Sequence, residues 1–189
     1  MISFKKTKNN TSKENLMKRL VAAFFALTTI LALNLFAAQT PVFTLKGMGS
    51  PTLHIKESPN GIIIDEYKGK VVLLNFFGKH CPWCLKEIPH LVELQKEYGK
   101  DLQIVAIHAQ QPMTMAERSE FQKRFKFNYP IYEYTDNEDF VQYISQRSNW
   151  SGNLPFSIVF DKKGSAAKII PGYAPKEDIE AMIKYLIER

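Results

Sequence analysis

Residues 69–89 read GKVVLLNFFGKHCPWCLKEIP, and this stretch decides the fold. Residues 71–77 are apolar at every position except Asn75, the composition of a strand covered on both faces. A helix follows directly. Cys84, Ile88, Leu91 and Val92 stand at i, i+4, i+7 and i+8 and so make one apolar stripe, and Gly99 supplies a stop after Tyr98. A buried strand that runs straight into an amphipathic helix points to an α/β domain.

Outward from this stretch, short apolar runs alternate with helix-period segments, without an internal repeat or a low-complexity tract. Residues 43–66 read as a strand and hairpin, with strands at 52–55 and 62–64 joined by Pro59, Asn60 and Gly61, a turn-favouring cluster. Residues 102–107 are a second buried strand. A helix is expected over 115–125, a short strand over 131–134, and a helix from 136 towards 148. Residues 156–160 and 166–170 flank Asp161, Lys162, Lys163 and Gly164, a hairpin signal, and 175–187 form a closing amphipathic helix. The expected architecture is a central sheet with helices on both faces.

The chain has 189 residues, with 45% hydrophobic and 23% charged, so one folded domain plus a non-globular end is the simplest division. Its formal charge of +6 sits at one end. Residues 1–19 hold six of the 25 Lys and Arg and one acid, Glu14, which leaves nineteen bases against eighteen acids downstream. A nucleic-acid partner is therefore not expected for the folded part. Lys18 and Arg19 precede an apolar run over 20–38, broken only by Thr28, Thr29 and Asn34. A charged stretch followed by an apolar one is an export pattern. Residues 1–38 read as a signal peptide or an N-terminal membrane anchor, with Met17 an alternative start, and 39–189 as the domain. Ala37 and Ala38 suit a cleavage site, whereas Leu35 or Phe36 would stand where a small residue is preferred; the run is at the lower edge of spanning length, roughly 20 residues.

Cys81, Pro82, Trp83 and Cys84 contain the chain's only two cysteines, at the junction of strand and helix. With Cys81 as N-cap and Pro82 as first helical residue, Cys84 lies one turn on, within reach of a disulfide. Cys81 then sits over the unpaired donors at the positive end of the helix, which favour a thiolate and make it the nucleophile. Cys84, on the apolar stripe, is the resolving thiol. Two other readings compete. A structural disulfide is common in exported proteins, but a bridge closing so short a loop removes little chain entropy. A metal site could recruit His80 beside Cys81, but a structural zinc site wants four ligands and no second pair has suitable spacing.

The stretch 69–89 resembles the thioredoxin-like proteins of TlpA/ResA type. The likeness includes the preceding hairpin, Gly69 and Lys70 before the first core strand, the CxxC, Glu87 and Pro89 after it, Leu154 and Pro155 before the strand at 156–160, and an insertion between 109 and 134. The resemblance implies a thioredoxin fold and a periplasmic or membrane-anchored reductase of protein disulfides, often serving cytochrome c maturation, with no cofactor and with a membrane thiol shuttle as electron donor. It implies that Pro155 is a cis-proline lying against the CxxC and presenting backbone groups to a substrate strand, with Leu154 shaping that contact.

Glu87 matches the family's acidic residue, one turn beyond Cys84. Its spacing alone fits a solvated helix carboxylate equally well; the functional alternative is proton management at the thiols. Asn75 stands where thioredoxin has a buried Asp, which leaves Glu87 as the acid–base group. Pro89 should kink the helix. Trp83 is read as an exposed partner contact rather than a packed ring, since a substrate must reach Cys81. His80 is read as solvated more readily than as an aid to Cys81. His90, His108, Met113 and Met115 are conceivable copper ligands whose spacing favours helix-face or core roles. The competing functions are an oxidase or isomerase of the same fold and, from another class, a copper-delivery protein using Cys81, Cys84 and His80.

Overall fold

The computed structural model describes residues 16–21, 40–47 and 49–189. Residues 16–21 are helical, and Thr40–Arg189 forms one unit. From residue 22 to residue 38 the apolar leader lies outside the described residues. Among the described residues no helix is long and apolar enough to cross a membrane.

Strands β1 (Val42–Gly47), β2 (Ser50–Ser58) and β3 (Gly61–Ile64) make an antiparallel sheet in that order. The hairpin turn at 59–60 falls where the Pro-Asn-Gly cluster placed it, β1 is the strand expected ahead of the hairpin, and β2 is longer than expected. Along β1 the exposure alternates, with Phe43, Leu45 and Gly47 turned inward and only Leu45 fully buried.

The central sheet has order β6-β5-β4-β7-β8. Strand β4 (Val71–Phe77), buried at all seven positions, lies at its centre. It pairs in parallel with β5 (Leu102–His108), reached through helix α1 (Pro82–Tyr98). Helix α2 (Met115–Phe125) begins at a capping box: Glu117 N–H donates to Thr114 Oγ1 at 3.2 Å, and the Glu117 carboxylate accepts from Thr114 N–H at 2.8 Å. It leads to β6 (Ile131–Glu133), parallel to β5. The strand stops one residue short of the expected 134 because Tyr134–Asp136 tightens into a 3-10 turn. Helix α3 (Glu138–Ser148) starts two residues later than expected. The Asn137 side chain is spent instead on β1, accepting from Lys46 N–H at 2.9 Å and donating to Lys46 O at 3.0 Å. The antiparallel pair β7 (Phe156–Phe160) and β8 (Ala166–Pro171) completes the sheet, and α4 (Lys176–Ile187) follows.

Because successive residues of β4 point to opposite faces, the strand feeds two cores. Val71, Leu73 and Phe77 pack with Leu91 of α1, Ile183 of α4, and Phe121 of α2. Val72, Leu74 and Phe76 pack with Ile55 and Ile64 of the small sheet and Phe140 of α3. Helices thus cover both faces as expected, with the three-stranded sheet sharing the second. Each fully buried leucine or phenylalanine here contributes about 2 kcal/mol relative to exposure. This rigid centre holds the C-terminal end of β4 and the start of α1 in place.

Candidate active site

Between β4 and the N-cap of α1 three residues, 78–80, make a tight passage. Cys81 N–H donates back to Gly78 O at 3.2 Å. A Cβ at position 78 would fall on the end of the Gln110 side chain, which would have to swing aside and give up its contact with the loop. Lys79 N–H donates to His108 Nε2 at 3.2 Å, and His80 N–H to Gln110 Oε1 at 2.9 Å. Cys81 then caps α1 with extended backbone, and its Sγ accepts from Cys84 N–H at 3.1 Å. Pro82 follows at the first helical position, where its missing N–H costs nothing. Cys81 and Cys84 are joined as a disulfide, with Cα atoms 5.2 Å apart. Their exposures differ: Cys81 retains 8% and Cys84 none. No acid occupies the first turn of α1 to oppose its positive end.

Glu87 is not a solvated helix carboxylate. Only 2% of it is exposed, and its partners are neutral: Asn75 Nδ2 donates to Oε2 at 3.0 Å, and the Ala174 backbone N–H donates as well. Burial pushes its pKa from 4.5 up to about 7, with those two donors pulling the other way. The Asn75 amide uses its second proton on Ser157 Oγ, also at 3.0 Å. Asn75 and Ser157 face each other in the antiparallel β4–β7 register, so the sheet itself delivers this pair to the underside of α1. Tyr129 is buried nearby with its hydroxyl unpaired among the described residues; burial first, and the charge of Glu87 second, push its pKa well up.

The Leu154–Pro155 bond is cis. Pro155 is buried, and its carbonyl already accepts from Gly172 N–H at 2.9 Å. Proline has no N–H, so the backbone groups open to a visiting strand are those of Leu154, which no hydrogen bond engages among the described residues. Leu154 is half-buried and touches both cores. Trp83 is 57% exposed; its ring centroid lies 5.4 Å from that of Tyr173, and Lys86 Nζ sits 5.4 Å from the first ring and 4.6 Å from the second.

Other sequence candidates are not brought together. The exposed His80 contributes a backbone N–H to the loop. His90 lies on α1, His108 at the buried end of β5, Met113 in the following loop and Met115 exposed at the start of α2. Among the described residues no three His, Cys, Asp or Glu side chains are grouped to hold a metal ion. Helix α1 runs unbroken through Pro89. Sequence reasoning missed the Asn75–Ser157 link, the Lys86–Tyr173 contact and the His108–Glu133 pair. The first left a signal, a lone amide inside an otherwise apolar buried strand.

Residues 37–169 match the model of the AhpC/TSA family. The chain is 36% identical over 118 residues to the thiol-disulfide oxidoreductase ResA of Geobacillus thermodenitrificans, a match that covers 62% of this chain and 63% of that protein's length. It is 31% identical over 139 residues to the protein of the same name in Bacillus thuringiensis, covering 68% and 76%. Among solved structures, a thioredoxin-family thiol:disulfide interchange protein from Chlorobium tepidum superposes with a TM-score of 0.62 at 22% identity, over 78% of this chain and 94% of that one. That last likeness is one of fold.

Proposed function

The chain belongs to the AhpC/TSA family, and from that membership and the geometry around Cys81 we propose that it is a thiol-disulfide oxidoreductase that reduces protein disulfides. The observation that carries the reading is the pairing of an N-cap cysteine that keeps 8% exposure with a fully closed second cysteine and a buried carboxyl whose pKa lies at about 7. In the reduced protein, Cys81 thiolate attacks one sulfur of a client disulfide. The Cys81–client bond forms, the client S–S bond breaks, and the departing client sulfur takes a proton. Cys84 then loses its proton, which Glu87, one helical turn on, can accept, and attacks Cys81 Sγ. The mixed disulfide breaks, the second client sulfur leaves as a thiol, and two electrons have passed from the cysteine pair to the client. Leu154 offers its free backbone groups to the client strand, beside the cis Pro155, and Trp83 offers an aromatic surface. Neither step calls for a metal or organic cofactor.

Residues 1–38 would export the domain or hold it at the membrane, placing 39–189 in the periplasm, where a membrane thiol shuttle must return the electrons. Cytochrome c maturation is one setting that needs such a reductant, since haem-attachment cysteines must stay reduced. Equilibration with defined glutathione mixtures tests the direction of flow. The expected result is a two-electron transition near the thioredoxin value, about −270 mV, absent in Cys81→Ser. A value near about −120 mV would reassign the protein as an oxidase.

A further inference from the structure

His108 ends β5 with an imidazole that is wholly buried, 5.3 Å from the Phe77 ring. It stands opposite Glu133 in the parallel β5–β6 register, and its Nδ1 lies 2.8 Å from Glu133 Oε2. Its other nitrogen, Nε2, accepts the Lys79 backbone N–H at 3.2 Å. An amide N–H can only donate, so Nε2 must carry a lone pair; the ring proton is then on Nδ1, donated to the carboxylate. The imidazole is thus one link in a line from β6 to the residue two places before Cys81. The same loop is tied at Gln110 through His80 N–H and at Glu117 through Lys79 Nζ, 2.7 Å away. All three anchors belong to the segment running from β5 through α2 to β6.

We propose that His108, in the tautomer fixed by Glu133, is a positioning residue that sets the Cys81 sulfur over the donors of α1 by holding the Lys79 N–H. The proposal rests on the thiol-disulfide reading above. Releasing that one bond lets the loop, and with it the N-cap, move away from the unpaired donors, so the thiolate loses stabilisation and exchange slows.

Two variants separate the ring's two roles, because asparagine reproduces Nδ1 and glutamine reproduces Nε2. His108→Asn keeps a donor for Glu133 and lacks the acceptor for Lys79. His108→Gln keeps that acceptor. We expect His108→Asn to raise the Cys81 thiol pKa and to slow reduction of a small aromatic disulfide about tenfold, the worth of one hydrogen bond, and His108→Gln to restore both to within about threefold of the parent. Two variants that titrate and react alike would overturn the proposal. Thiolate absorbance reads the Cys81 position without any client. If the parent protein reduces no disulfide while the variants still titrate differently, the functional reading falls and the positioning role stands. If the parent exchanges normally and the variants do not differ, the reverse holds. Should either variant fail to fold, nitrogen NMR of the parent decides. A neutral ring protonated at Nδ1 is expected, and a ring protonated at Nε2 overturns the assignment.

Discussion

On the first two turns of α1 the usual order of inside and outside is inverted. The large ring of Trp83 faces solvent with 57% exposed, while the carboxyl of Glu87, one turn on, is covered to within 2%. Further along, the same helix obeys the rule: Leu91 and Leu94 are buried, and Glu93, Lys96 and Glu97 are exposed. The difference teaches where the fold yields to chemistry. Burial of an aromatic ring and hydration of a carboxylate are each worth a few kcal/mol, so giving up both within one turn needs a compensating use. Here the inversion straddles Cys81 and Cys84, with a surface for a partner on one side and a proton-holding group on the other.

The largest expected effect comes from the cysteines at the seam between these two sides. Cys81→Ser should abolish exchange and trap nothing, whereas Cys84→Ser should accumulate mixed disulfides with client proteins, because the more accessible of the two sulfurs still attacks and nothing resolves the product. Non-reducing gels of the two variants show which occurs. Equal trapping by both would mean that the difference in exposure carries no division of labour.

Next comes the buried side. In the unfolded chain the Glu87 carboxyl titrates near 4.5, and in the fold at about 7. Below pH 4.5 both states hold the proton. Between these values the unfolded chain releases it while the fold retains it, so stability falls as pH rises through the window and levels off above 7, by roughly 3 kcal/mol in all. Glu87→Gln should flatten that slope, as urea unfolding of the oxidised protein at several pH values would show. In the reduced protein the same change should lower the thiol pKa and slow exchange roughly 10- to 100-fold, since glutamine cannot relay a proton. An unchanged slope together with an unchanged thiol titration would return Glu87 to a purely structural place.

The sequence announced the faces of this helix more readily than the residues that meet them. The CxxC, its N-cap position and the apolar stripe all follow from spacing within one helix, and the buried β4 follows from composition. What stayed hidden lies between elements. Glu87 at one turn from Cys84 looks alike whether it faces water or the sheet. Its burial depends on Asn75 and Ser157, 82 positions apart and joined by the β4–β7 register. His108 and Glu133 likewise meet through the β5–β6 register, and β1 is held by Asn137, a residue that local rules assign to capping α3. Periodicity reports one element's faces and says nothing of which neighbour fills them.

The smallest effect is expected on the outer side, from Trp83→Ala. More than half of the ring is already in water, and what it touches is Tyr173 and Lys86, whose ammonium keeps its closer contact with Tyr173 at 4.6 Å after the change. The fold should therefore lose no more than about 1 kcal/mol, the scale of an exposed cation–π contact plus a surface substitution. Turnover of a small aromatic disulfide, which needs the cysteine pair but no contact with the rim, should stay unchanged. A protein client meets the rim as well as the sulfur, and removing a rigid aromatic anchor of this kind should raise KM for it about fivefold while leaving kcat alone. Urea unfolding paired with kinetics on both substrates separates the outcomes. A stability loss above about 2 kcal/mol would make Trp83 a packed residue after all. An equal loss of rate on the small disulfide would show that the ring acts on the cysteines and not on the client, and the inversion on α1 would then serve the chemistry from both sides.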